Sequence, residues 1–384
     1  MRTQVRQLLV ACVLSVSGGT LAADPSVALR LASAPSRSPA ATPRLDVNGT
    51  NQTSARLPEH PSVAWQARVA PPLIGDLSAD ANGRLLVAHA SDRVTALDEK
   101  GHAVWSLRTA APLVLGPLPL AGGRTLLVTR DAQVVRVSAK GAVEARETLA
   151  FGPLDQTPIV TSTGDGGAIL AAGSAFARLG PLGAAGYDAR LPDPIRAVFE
   201  WRGGTVAVGH AGGVFTRGAA GDPERIGSFG QPVRAAALLG QRLLGVGRNE
   251  LVSLDLVSKE RRLVFADPTV DLRDLAALGG GRLRLVAARA VFLDLDPSGR
   301  ELSRQSLPIA ESGGELVSIV ADRDGRTLLG TNGAPLIQIT PQGETAALPE
   351  TSCPDPVRPT PVADGRFVVA CRSGLLRAFS DKAR

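Results

Sequence analysis

Histidine is scarce in this chain, and its four copies, His60, His89, His102 and His210, are the first candidates for metal or acid–base chemistry. A metal centre needs several such ligands converging on one point. His60 stands at the end of a polar leader and His102 in a hairpin turn, each without a second ligand nearby in sequence. His89 and His210 end strands at matching places of a repeat, three repeats apart, so both read as solvated turn residues, and no metal is expected. Nucleophilic catalysis fares no better, because the Gly-x-Ser-x-Gly turn that presents a hydrolase serine does not occur. The Gly-rich segment Thr161-Ser162-Thr163-Gly164-Asp165-Gly166-Gly167 is followed by no helix that would aim its N-terminus at a phosphate, and it reads as a hairpin turn.

Arginine is the abundant reactive side chain. The chain has 42 basic residues against 36 acidic ones, a formal charge of +6, and only four of the basic residues are Lys. Their placement is periodic. One set, Arg130, Arg248, Arg289 and Arg372 together with His89 and His210, follows the second strand of a repeat. Another, Arg196, Arg234 and Arg358, comes two residues after Pro194, Pro232 and Pro356. Arginine makes paired, directional bonds to carboxylate or phosphate, so these positions point to an acidic partner. The competing reading is local neutralisation by Asp155, Asp271 and Asp355. A third set, Arg84, Arg124, Arg282, Arg326 and Arg366, falls on the opposite face and reads as solvated turn residues.

These side chains are carried by a unit of about 40 residues that recurs about eight times from Val63 onward. Its plainest copy runs Pro72-Leu73-Ile74, Gly83-Arg84-Leu85-Leu86-Val87-Ala88, Val94-Thr95-Ala96-Leu97-Asp98, Gly101 and Ala103-Val104-Trp105-Ser106-Leu107-Arg108. Four strands per unit follow. The second strand opens after Gly turns such as Asn82-Gly83-Arg84, Gly280-Gly281-Arg282 and Asp364-Gly365-Arg366, and Gly suits the positive φ of such hairpins. The last hairpin carries an Asp/Ser/Thr-x-x-Gly signature at Asp98, Ser138, Asp296 and Thr340. The composition, 44% hydrophobic with 42 Gly and 28 Pro, suits short strands and tight turns. The last unit stops after its third strand, Leu375 to Phe379, while the folded region opens with an unpaired fourth strand, Ala64 to Val69. The spacing therefore predicts an all-β, eight-bladed propeller of four-stranded antiparallel blades whose ring is closed by the N-terminal strand, which leaves no exposed edge.

The elements Ala96-Leu97-Asp98, Gly101 and Trp105 resemble the blade signature of the pyrroloquinoline-quinone-like propeller repeat family, and the resemblance spans about residues 63 to 384. It is clear in the first blade and degenerate in the third and fourth. The family includes cofactor-dependent dehydrogenases and non-catalytic scaffolds, among them the propeller lipoprotein of the outer-membrane assembly machinery, so fold membership does not choose between them. The dehydrogenases use adjacent cysteines, a calcium site and an Asp base. None of these matches here, and three Trp leave little surface for stacking a quinone, so no cofactor is expected.

At the N-terminus, Arg2 and Arg6, an apolar stretch from Leu8 to Leu21 and small residues at Ala22 and Ala23 read as a signal peptide over residues 1–23. Polar interruptions argue against a membrane span. A lipid anchor at Cys12 is the weaker reading, since only a short apolar run precedes it. Residues 24–60 read as a disordered Ala/Pro/Ser-rich leader, and residues 61–384 as the propeller. Export places the mature protein in the periplasm or outside the cell and permits a disulfide between Cys353 and Cys371, which a propeller puts on one face of the last blade. The expected function is a monomeric, non-catalytic scaffold that docks an envelope protein or an acidic segment. Scarce aromatics and export argue against nucleic acid. The alternative is a quinoprotein-like enzyme, or a propeller hydrolase or lyase acting on an anionic saccharide or lactone, with Asp155, Asp271 and Glu315 as the available carboxylates at the axial mouth.

Overall fold

The structure, a computed structural model, describes residues 51–381 apart from 151, 156, 182–184, 219, 289–290, 308–315, 332–333 and 354. The described residues form eight antiparallel sheets arranged as the blades of a propeller. Blade 1 holds Ser78–Ala79, Leu85–His89, Arg93–Leu97 and Ala103–Arg108, in sequence order from the axis outward. Blades 2 to 7 repeat this pattern, their innermost strands being Leu118–Pro119, Ile159–Ser162, Ile195–Trp201, Ala235–Leu239, Leu272–Ala277 and Leu316–Asp322. Blade 8 takes three strands from the C-terminal segment, Thr360–Ala363, Arg366–Ala370 and Leu375–Asp381, and its outermost strand from Pro61–Arg68. The ring is thus closed by antiparallel pairing of Pro61 with Asp381 through Arg68 with Leu375, as the orphan strand predicts.

The second and third strands are buried along nearly their whole length because both of their faces meet neighbouring blades. The core consequently lies between blades: Leu86, Val94 and Trp105 of blade 1 pack with Leu127, Val135 and Val137 of blade 2. Glycine sets how closely the blades approach. A Cβ on Gly141 would lie 2.7 Å from Trp105 Cγ, and one on Gly101 would lie 2.9 Å from Trp65 Cε3, so each Trp docks on the glycine of the following blade's last hairpin. Both glycines also have φ above +80°.

The outermost strands alternate exposed and half-buried residues, and in blades 1–6 and 8 they slip by one residue against the third strand. Such bulges twist an edge away from further pairing.

Described structure extends ten residues N-terminal of the boundary expected at 61. Gln52–Thr53 pairs in parallel with Ala321 and Asp322, on the axial side of the innermost strand of blade 7. Leu57 is fully buried, and Gln338 Nε2 donates to the carbonyl of Pro58 at 2.6 Å. The composition of 24–60 conceals this strap because two paired residues and one buried Leu need no periodic pattern. The predicted signal peptide, the anchor position Cys12 and the leader up to residue 50 lie outside the described residues. No helix among the described residues is long and apolar enough to cross a membrane.

Candidate functional site

The upper face of the ring is the one on which the innermost strands begin and the turns between second and third strands lie. In blades 1 to 6 and 8 the innermost strand is approached through a short segment of proline or aspartate, an apolar residue and one variable residue. In blades 4, 5, 6 and 8 these segments are Pro194-Ile195-Arg196, Pro232-Val233-Arg234, Asp271-Leu272-Arg273 and Pro356-Val357-Arg358. The middle residue is buried in all four and anchors the segment where the innermost strand begins. Blades 1 and 2 carry Ile74 and Val114 at the same position and blade 3 carries Asp155.

Three of these arginines form an unbroken arc across blades 4 to 6. Arg196 is exposed and its Nε donates to the carbonyl of Arg234 in the next blade. Arg234 Nη1 donates in turn to Asp271 Oδ1 and, at 2.7 Å, to the carbonyl of Leu272 in blade 6. Arg273 Nη2 lies 2.8 Å from Asp271 Oδ2, and Arg248 Nε lies 4.0 Å from Asp271 Oδ1. One carboxylate therefore serves three guanidinium groups, and the cluster carries an excess of two positive charges. The predicted neutralisation holds at Asp271 but is partial. Asp355 sits beside Arg372, 3.7 Å away, and not beside Arg358, while Asp155 is exposed with no ion pair among the described residues. Sequence reasoning missed Arg273, because Asp271 replaces the proline that marks the other members of the set.

Arg358 turns inward. Its Nη1 donates to Asn51 Oδ1 at 3.1 Å, and Asn51 Nδ2 donates to the carbonyl of Leu275 in blade 6 at 2.7 Å. Asn51 also accepts through its carbonyl from Ala321 N in blade 7. It is fully buried, with φ +54°, a conformation that Asn tolerates well. The strap leaves by the lower face, where Leu57 N donates to Asp322 Oδ2 at 2.9 Å and Gly365 N donates to the carbonyl of Arg56 at 2.7 Å. Asp322 is fully buried, and burial holds its carboxyl above the usual carboxylate range.

The second-strand turns contribute less uniformly. Arg130, Arg248 and Arg372 are exposed, as is His210, and Arg289 lies outside the described residues. His89 departs from the expected solvated state. It is buried, with Nε2 2.9 Å from Thr95 Oγ1, and burial together with the nearby Arg93 lowers its pKa. Leu73, on the segment entering blade 1, forms an antiparallel bridge with His89. Beside the arc, a cleft of about 850 Å³ opens between blades 5 and 6, lined by Arg248, Thr269, Asp271 and Arg304 among others. Arg304 is committed there to Asp267 at 2.6 Å and Glu301 at 2.7 Å. Asp267 is held down at about 2 by the Thr269 hydroxyl and by Arg304.

The lower-face arginines are not all solvated. Arg84 and Arg326 are mostly buried, Arg84 against Asp80 at 2.5 Å and Arg326 beside Glu59 at 3.3 Å. Cys353 and Cys371 meet as a disulfide pair in blade 8, their Cα atoms 5.7 Å apart. Of the carboxylates weighed for an enzyme, Glu315 lies outside the described residues. No group of three or more His, Cys, Asp or Glu among the described residues is placed to hold a metal ion.

A family model described as outer membrane protein assembly factor BamB matches residues 58–189, the closing strand and blades 1 to 3. Among solved structures, BamB from Moraxella catarrhalis is 11% identical with a TM-score of 0.62, over 83% of this chain and 99% of that one. Sqt1 from Saccharomyces cerevisiae is 7% identical with a TM-score of 0.63, over 84% and 100%. Virginiamycin B lyase from Staphylococcus aureus is 10% identical with a TM-score of 0.52, over 82% and 98%. Identities this low speak for the fold alone. No curated protein matches the chain. The repeat, its closure by the N-terminal strand and the family match over the first three blades make the chain similar to pyrroloquinoline-quinone-like β-propellers.

Proposed function

We propose that the protein is a non-catalytic, extracytoplasmic scaffold that docks an acidic segment of an envelope protein on its upper face. The observation that carries this reading is the arc of Arg196, Arg234 and Arg273 at one repeat position on three consecutive blades, with Asp271 balancing only part of its charge. Rigid strands hold the arc, so little ordering entropy is lost when a carboxylate pairs with it. Arg248, 82% exposed, extends the positive surface toward the cleft between blades 5 and 6, and Arg130 and Arg372 extend it around the rim. The description of the matching family model supports an envelope setting.

The test is cross-linking in intact cells followed by mass spectrometry, with the wild type and an Arg196→Ala/Arg234→Ala/Arg273→Ala variant. One dominant envelope protein linked through the upper face, and lost in the triple variant with the ring still folded, is the expected result. Capture that is unchanged in the variant assigns the partner to another surface.

A further inference from the structure

On the upper face, the end of each second strand lies against the segment that enters the same blade, and most blades fill the space beside this contact. In blade 1 the buried His89, bridged to Leu73, takes the place. In blade 2 it is Thr129, bridged to Leu113, and in blade 8 it is Cys371, bridged to Pro356 and bonded to Cys353. Blades 4 and 5 have glycine there, and the side chains of Asp193 and Gln231, each standing just before the entry proline, lie where a Cβ of Gly209 or Gly247 would be. In blade 6 the equivalent residues are Ala287, paired with Leu272, and Val270, just before Asp271. Two short apolar side chains leave the place unfilled, and the cleft of about 850 Å³ is the result. The buried part of its lining, Val270 and Ala287, is apolar, as are the half-buried Ala288 and Val291 beside it. Blade 3, whose second strand ends in Ala172, has a smaller cleft of about 300 Å³ with Asp155 in its wall.

We propose that the cleft between blades 5 and 6 is a pocket for one aliphatic side chain of the docked segment, so that the ligand is an acidic stretch interrupted by Leu, Ile or Val. The assignment rests on the docking function proposed above and narrows its ligand. Asp271 belongs both to the arginine arc and to the cleft wall, so a segment of a few residues, at about 3.4 Å each, spans the two. Arg304 is spent on Asp267 and Glu301, whereas Arg248, 82% exposed at the rim, has only a 4.0 Å contact with Asp271. Carboxylates flanking the apolar residue therefore meet the arc and Arg248 while its side chain leaves water. In blade 3 the arc's repeat position holds Asp155, whose carboxylate repels an acidic segment, so the smaller cleft there does not serve the same ligand.

The experiment uses the full chain and two fluorescein-labelled hexapeptides, Glu-Glu-Glu-Leu-Glu-Glu and Glu-Glu-Glu-Asn-Glu-Glu, which share charge and length and differ in one side chain of nearly equal size. Binding is read by fluorescence anisotropy. The wild type is expected to bind the leucine peptide about tenfold more tightly, the worth of burying most of a Leu side chain in a cleft open on one side. Two variants fill the cleft with side chains that the same fold already houses at the same repeat position: Ala287→His, after His89 of blade 1, and Val270→Gln, after Gln231 of blade 5. In each, with folding checked by thermal melting, the ratio of the two affinities is expected to fall to near one. Equal binding of the two peptides by the wild type, or a leucine preference that survives the filling in a folded variant, overturns the pocket and leaves the docking surface standing. No binding of either peptide, or binding of both that is unchanged in the Arg196→Ala/Arg234→Ala/Arg273→Ala variant, overturns the docking reading itself, and the pocket with it.

Discussion

Replacing Asp271 with Asn separates the two roles its neighbouring arginines can have. If Arg234, Arg248 and Arg273 serve the fold through Asp271, the change weakens the protein. If they serve a partner, it strengthens binding. The structure allows both sizes to be estimated. The side chains of Arg234 and Asp271 are each about one-third exposed, at 31% and 32%, so solvent screens the pair and its loss costs within about 1 kcal/mol of stability. A ligand carboxylate bonded to the far edge of the Arg234 guanidinium lies about 7 Å from Asp271, the width of the group plus two hydrogen bonds. Repulsion over that distance amounts to about 0.6 kcal/mol at the dielectric constant of water and about 2.4 kcal/mol at an effective value near 20. Physiological salt reduces these to about 0.25 and 1 kcal/mol. Asp271→Asn should therefore bind an acidic peptide about 1.5- to fivefold more tightly. The gain should grow as salt is lowered, while the melting temperature moves little. Anisotropy titrations of labelled hexaglutamate at two salt concentrations, with thermal melts of the same samples, measure both. Unchanged or weaker binding, with a melting temperature lowered by many degrees, would refute the argument and make the arc a structural ion-pair cluster.

Three further outcomes follow from other parts of the ring. Arg284, 1% exposed, makes a two-pronged pair with Asp294 at 2.6 and 2.7 Å and reaches Thr327 of blade 7 at 2.8 Å. Arg284→Met or Asp294→Leu alone should cost about 3–5 kcal/mol by stranding a buried charge, and the double variant should cost less than either, a pattern that urea unfolding tests. Because burial lowers the pKa of His89 in the folded state, the neutral ring is the form that folding favours. The stability this provides is complete above the unfolded value near 6.5 and is lost as pH falls toward the lower folded value. Melting temperature against pH should thus drop more steeply in the wild type than in His89→Gln, and parallel curves would reject the assignment. Finally, intact mass of the unreduced protein should show no free thiol at Cys353 and Cys371, and replacing both with Ser should cost about 2–4 kcal/mol. Two free thiols would remove the link.

The ring was legible because its turns are chemically marked. Gly83, Gly101, Gly141, Gly325 and Gly365 all take positive φ, and each fixes the phase of a repeat whose strands need only be apolar. Strands marked by alternation alone, such as Ala185–Arg190 of blade 3, left a degenerate repeat, though the sheet forms all the same. At the mouth, proline flagged Arg196, Arg234 and Arg358, and the one blade that replaces it with aspartate hid Arg273. The strap was illegible for a different reason. Its hold comes from hydrogen bonds of Asn51, Arg56 and Leu57 to residues more than 200 positions away, and contacts so remote leave no trace in local composition. His89 misled because its place at the end of a strand does not by itself tell how deeply it is buried.

The pairing that closes the ring sets the order in which the protein can finish folding. Among the described residues Pro61–Arg68 is the first of the blade strands along the chain, and its partner, Leu375–Asp381, is the last. Blades 1 to 7 can each pair their own four strands as soon as about 40 residues are available, yet the eighth must wait for both ends. Until then the waiting outer strand and the third strand of blade 8 are open edges carrying apolar side chains, the condition in which all-β chains pair with the wrong neighbour. A chain shortened by its last ten residues would lose more than one strand, since it would strand the opposite terminus as well, and its failure should appear as oligomers joined edge to edge and not as a frayed monomer.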